Sequence, residues 1–147
     1  MLGNCYFLAT LSSVAEFPNR IKAMFDTQKV NDAGIYKVRF YINGQDTPVI
    51  IDDYLPVKAD GSLAFASCAK GELWVALLEK AWAKLHGTYV RTEGGLPSFA
   101  AFHIMGVPSE SYNHEEIKSR DKFFEDLIQS DRRNYTMMSA CKGEGEE

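Results

Sequence analysis

This chain has no long apolar run, no surplus of positive charge and few cysteines, and each shortage removes a class of protein. No stretch reaches the roughly 20 apolar residues that a spanning helix needs, so no transmembrane segment is expected. The first fifteen residues are apolar but lack the basic leader of a signal peptide and carry Asn4 early. Net charge is −4, and no Lys/Arg stripe accompanies the aromatics, which argues against nucleic acid as a partner. Three cysteines, Cys5, Cys68 and Cys141, form an odd set without metal-ligand spacing, and His86, His103 and His114 show no zinc pattern. Such a set fits a reducing compartment better than a disulfide framework, so the expected location is cytoplasmic. Cys68 and Cys141 lie in apolar stretches and read as structural.

What is present suffices for one ordinary hydrophobic core in 147 residues, 46% of them hydrophobic. Phe7, Leu8, Leu11 and Val14 share a helical period, which predicts a helix over 5–16 with Pro18 at its exit. A further helical turn is expected from Arg20 to Phe25. Ile35 to Ile42 alternates at period two and reads as a strand; Asn43-Gly44 turns the chain into a second strand through Val49, Ile50 and Ile51. Leu63-Ala64-Phe65 is expected to extend that ribbon. The clearest element is a helix from about Glu72 to His86, with Trp74 and Trp82 in its apolar stripe, Lys80 and Lys84 opposite, and Gly87 as its stop. Residues 98–105 read as a short helix, Glu115 to Arg132 as a longer one with Phe123, Phe124, Leu127 and Ile128 inward, and Tyr135 to Cys141 as a buried strand. The fold class is therefore α+β: several helices and a small antiparallel β-ribbon.

Cys5 is the residue with chemistry. It follows Asn4, a good N-cap residue, so it falls in the first helical turn, where unpaired backbone N–H groups and the helix dipole favour a thiolate. A thiolate is the nucleophilic form of cysteine. The alternative is a small buried hydrophobe ahead of a core helix.

Four blocks carry a resemblance. Gly3-Asn4-Cys5-Tyr6-Phe7-Leu8-Ala9 resembles the Gly-Asp-Cys-Trp-Phe-Leu-Ala active-site segment of calpain-like cysteine proteases, with Asn4 for Asp and Tyr6 for Trp. Val49 to Pro56 resembles the family's apolar strand ending in Asp-Asp-x-Leu-Pro. Glu72 to Lys84 is similar to its Glu-Phe-Trp-x-Ala-Leu-Leu-Glu-Lys-Ala-Tyr-Ala-Lys helix. Gly87, Tyr89 and Gly94-Gly95 follow at the family's spacing.

The resemblance implies the mainly helical, cysteine-bearing lobe of a papain-like fold over residues 1–141, incomplete at both ends; from composition, 142–147 reads as an acidic disordered tail. It implies a calcium-dependent endopeptidase acting on protein substrates, with Cys5 as nucleophile and its backbone N–H as one oxyanion donor. Calcium is the implied regulatory cofactor and Glu72 its implied ligand; a helix N-terminal carboxylate answering the macrodipole is the alternative for Glu72. Gly95 matches the second glycine of a Ser-Gly-Gly segment that pairs with substrate, with Glu93 in the Ser position; a loop needing φ > 0 is the alternative. The family's histidine and asparagine lie in blocks resembling Lys-Gly-His-Ala-Tyr and Arg-Asn-Pro-Trp-Gly, and neither occurs here. None of the three histidines is expected to replace them. The expected partner is thus a second lobe bearing His and Asn, without which the chain is expected to be inactive. A non-catalytic lobe that binds other proteins is the rival reading.

Overall fold

A computed structural model describes residues 2–140. Residues 2–109 and 110–140 fall into two compact units. The first unit opens with α1 (Cys5–Val14), whose buried Phe7, Leu11 and Val14 recur at helical spacing. Pro18, which fits the first helical position because its missing N–H has no helix partner anyway, opens α2 (Pro18–Ala23).

Strands β1 (Ile35–Ile42) and β2 (Gln45–Asp52) pair antiparallel as a hairpin, with Ile42 opposite Gln45. Asn43 and Gly44 have φ of 52° and 74°, the two positive values that a tight two-residue hairpin turn demands. Alternation holds as expected: Tyr36, Val38 and Phe40 of β1 and Val49 and Ile51 of β2 are buried on one face. Both outer edges are occupied. Arg39 N donates to Met24 O at 2.7 Å and Asp26 N to Lys37 O at 2.9 Å along β1. On β2, Lys84 Nζ donates to Ile50 O at 2.6 Å and Lys80 Nζ to Asp52 O at 3.1 Å. A two-stranded ribbon with bare edges is an aggregation hazard, and here ammonium groups take up the free carbonyls.

The two lysines belong to α3 (Trp74–His86), the hub of the unit, which Gly87 terminates. Its Trp82 is fully buried, stacked on Phe7 of α1 at 4.7 Å and 12°, and tilted against Phe40 of β1 at 5.4 Å. A 3-10 turn (Val90–Thr92) and α4 (Pro97–Met105) follow, and Ala100 and Ile104 of α4 complete the core.

Several expectations need correction. Leu63-Ala64-Phe65 does not extend the ribbon; Val57 and Leu63 form an isolated bridge, and Phe65 instead stacks on Tyr89 at 4.3 Å. The helix expected over 115–132 is divided, because two side chains cap separate starts. Asn113 accepts from Glu115 N before a 3-10 turn (His114–Glu116), and Ser119 accepts from Lys122 N before α5 (Arg120–Arg132). No residue of α5 is buried, and Phe124 is 63% exposed. Residues 135–140 form no strand, and Tyr135 and Met137 are exposed, so the expected buried strand is corrected: a run with no partner strand has nothing to be buried against. Cys141 and the acidic tail lie outside the described residues.

Candidate active site

Cys5 is the first residue of α1 and is exposed, while Asn4 before it and Tyr6 and Phe7 after it are buried. The cysteine therefore sits on an otherwise sunken segment, and the contacts of its neighbours explain why. Gly3 O accepts from Gly94 N at 2.8 Å. The Tyr6 ring lies under Gly95, and its hydroxyl accepts from Trp82 Nε1 at 3.2 Å. Phe7 stacks on the same indole. Three of the four sequence blocks thus meet around Cys5. The remaining block joins through Asp52, whose carboxylate pairs with Lys80 Nζ at 2.5 Å. That ammonium, together with the Tyr54 N–H, lowers the Asp52 pKa.

The expected capping role of Asn4 needs correction. It occupies the N-cap position, but its side chain makes no cap bond. Its Nδ2 instead donates to Glu79 Oε1 at 2.7 Å, and the other carboxylate oxygen accepts from Ala66 N at 2.9 Å. Glu79, on α3, is 2% exposed and Asn4 1%. Sequence reasoning passed over Glu79, although a signal was present: it is the one acid within the apolar stripe Leu77, Leu78, Ala81, Trp82, and a charge placed there needs buried partners.

The histidines are engaged elsewhere. His86 Nδ1 donates to Trp82 O at 2.9 Å and its ring packs on that indole. Buried His103 Nδ1 donates to Phe99 O at 2.8 Å. His114, in the second unit, lies edge-on to Phe123. Each is accounted for by its own helix or turn.

Gly95 is exposed and lies beside the cysteine segment, but it is not the residue with positive φ. That is Gly94, at 69°, with open space around its Cα. At Gly95 an added Cβ would stand 2.6 Å from the Tyr6 ring, so absence of a side chain, not backbone freedom, is what this position requires.

Glu72 lies ahead of α3, not in its first turn, so the expected helix start there is corrected and the macrodipole no longer explains its charge. Its charge acts on Cys68, whose thiol is pushed up first by burial and then by the Glu72 carboxylate. Calcium takes six to eight oxygens. Among the described residues, no group of three or more His, Cys, Asp or Glu side chains could hold a metal ion, so these residues do not fit a calcium site by themselves. No described helix is long and apolar enough to cross a membrane.

The model of a family described as "Calpain family cysteine protease" matches residues 1–147. The chain is 44% identical over 110 residues to the calpain-type cysteine protease DEK1 of Arabidopsis thaliana, 74% of this chain and 5% of that protein. It is 41% identical over 115 residues to the calpain-2 catalytic subunit of Homo sapiens, 76% of this chain and 16% of that protein. With Calpain-A of Drosophila melanogaster the identity is 38% over 118 residues, 78% and 14% of the two chains. The chain thus spans under a fifth of the length of these relatives. Its α+β fold, its cysteine at the head of a helix, and its match throughout place this chain in the calpain family of cysteine proteases.

Proposed function

We propose that this chain is the nucleophile-bearing half of a calcium-dependent endopeptidase, cleaving protein substrates through a thioester on Cys5. The observation that carries this reading is an exposed thiol as the first residue of a helix whose following residues are locked into the core. In the reaction, the sulfur attacks a peptide carbonyl and the amine leaves with a proton. In this reading the backbone N–H groups of the first turn of α1 serve as donors to the developing oxyanion.

A proton-carrying histidine and the group that orients it are the missing half. In this reading they come from a second lobe with a His and an Asn. Calcium acts as a regulator, with Glu72 giving one oxygen of a set completed by groups outside the described residues. No chemical step is assigned to the ion. A cytoplasmic setting belongs to the same reading, and the free thiols of Cys5 and Cys68 accord with it.

The test is reconstitution. The chain joined to a lobe carrying the family's His and Asn blocks is expected to hydrolyse a fluorogenic peptide only with calcium, and Cys5→Ser is expected to abolish it. Hydrolysis unaffected by Cys5→Ser would refute the nucleophile. Tight binding of the peptide with no hydrolysis under any condition would favour the non-catalytic alternative.

A further inference from the structure

We propose that Glu79 is a positioning residue for Cys5: it draws the Asn4 amide away from the first turn of α1 and so leaves the Tyr6 N–H, the second of the helix, open beside that of Cys5 to a substrate oxyanion. The inference rests on the reading of Cys5 as nucleophile.

Asn is among the strongest N-cap residues, its side-chain oxygen accepting from the second or third N–H of the helix. Asn4 occupies that position and does otherwise. Its backbone sits at φ −107° and ψ 28°, outside the extended region usual for a cap, and only its carbonyl serves α1, accepting from Phe7 N at 3.0 Å and Leu8 N at 3.2 Å. Among the described residues, the N–H groups of Cys5 and Tyr6 have no such partner.

The cause lies 75 residues away in sequence. A carboxylate offers only acceptors, so the Asn4 amide turns its N–H₂ to Glu79 Oε1 and cannot present its oxygen to the helix. The Ala66 N–H on Oε2 fixes the rotation of the carboxylate. With both residues almost fully enclosed, water does not compete for these bonds. The same chemistry gives Asn4 its meaning against the Asp of the family's common segment: of the two, only the amide donates to a carboxylate without borrowing a proton.

Two thiol probes separate positioning from mere support. A peptide aldehyde adds Cys5 reversibly: the S–C bond forms, the C=O π bond opens, and the thiol proton passes to the oxygen, which then lies at the oxyanion position. Iodoacetamide forms an S–C bond as the thiol proton leaves to solvent and the C–I bond breaks to release iodide, and it develops no such oxygen. In Glu79→Met, which keeps most of the volume and removes the acceptor, the aldehyde is expected to bind about tenfold or more weakly. Alkylation of Cys5 by iodoacetamide, read at alkaline pH where the thiol is fully ionised, should stay within about twofold, since it draws on no oxyanion donor. Glu79→Gln retains an acceptor for Ala66 and an N–H for a turned Asn4 amide, so it is expected to stay within about threefold of the unsubstituted chain.

Unchanged aldehyde affinity in Glu79→Met, equal loss with both probes, or a Gln variant as weak as the Met one would each overturn the proposal. If the unsubstituted chain binds the aldehyde no better than glutathione does, the nucleophile reading itself fails, a different outcome from any of these. Should Glu79→Met not fold by circular dichroism, amide exchange in the unsubstituted chain decides. The Asn4 side-chain amide is expected to be protected and the Cys5 and Tyr6 backbone amides fast, and protection of those two amides overturns the inference.

Discussion

Gly94 and Gly95 are adjacent, yet they need glycine for different reasons, and that difference is measurable. A Cβ at Gly95 would stand 2.6, 2.7 and 2.9 Å from three carbons of the Tyr6 ring. The ring cannot retreat: Tyr6 is 7% exposed, its hydroxyl is held by Trp82 Nε1, and Trp82 is itself stacked on Phe7. Gly95→Ala therefore overpacks a rigid site, for which about 1–3 kcal/mol of destabilisation is expected. A Cβ at Gly94 would meet nothing within 4 Å, so Gly94→Ala meets only the penalty of φ at +69°, about 1 kcal/mol. Asn visits that backbone region readily, so Gly94→Asn is expected to be nearly neutral and Gly95→Asn as damaging as the alanine. Urea unfolding followed by circular dichroism at neutral pH reads these differences as shifts in midpoint at constant slope. A double-mutant cycle supplies the decisive number. Tyr6→Leu shrinks the neighbour, so Gly95→Ala in that background should lose about 1–2 kcal/mol less than it does alone. A coupling energy below about 0.5 kcal/mol, or identical behaviour of Gly95→Asn and Gly94→Asn, would refute the packing explanation.

Trp82 is the largest fully buried side chain, and Trp82→Ala is expected to cost about 3–5 kcal/mol in the same unfolding assay; a loss near zero would show that α1 and α3 do not depend on the indole. Burial and the Glu72 carboxylate raise the Cys68 thiol, so its alkylation lags at a given pH; Glu72→Gln should move its rate profile to lower pH, and an unmoved profile would remove Glu72 as a cause. Arg39 first and Lys37 second bring the Asp26 carboxyl down to about 2. Because a lowered folded-state pKa adds stability above the unfolded value of 3.8, that share should fade as pH drops from 3.8 through about 2; Asp26→Asn should flatten this slope, and so should molar salt, since the group is exposed.

Much of the framework was legible in local pattern. Period-two alternation placed β1 at 35–42, Asn43-Gly44 named the turn, and helical spacing marked α1, α3 and Cys5 at the head of α1. These signals are short-range, each set by one residue and its neighbours within a turn or a pleat. The same local logic misled at α5, where an amphipathic pattern of 115–132 hid two caps, and at 135–140, where a largely apolar run read as a buried strand has no partner strand.

What sequence alone determined is thus the menu of elements and the membership of Cys5 in a family segment. Tertiary structure decided which groups touch. It took Asn4 from its expected cap to Glu79, put the Tyr6 ring beneath Gly95, and sent Lys80 and Lys84 to the open edge of β2. The physical reason is that a side chain's hydrogen-bond partner is chosen by enclosure and distance in space. Residues 4 and 79 reveal their complementarity only once α3 lies behind α1 and water has been excluded between them.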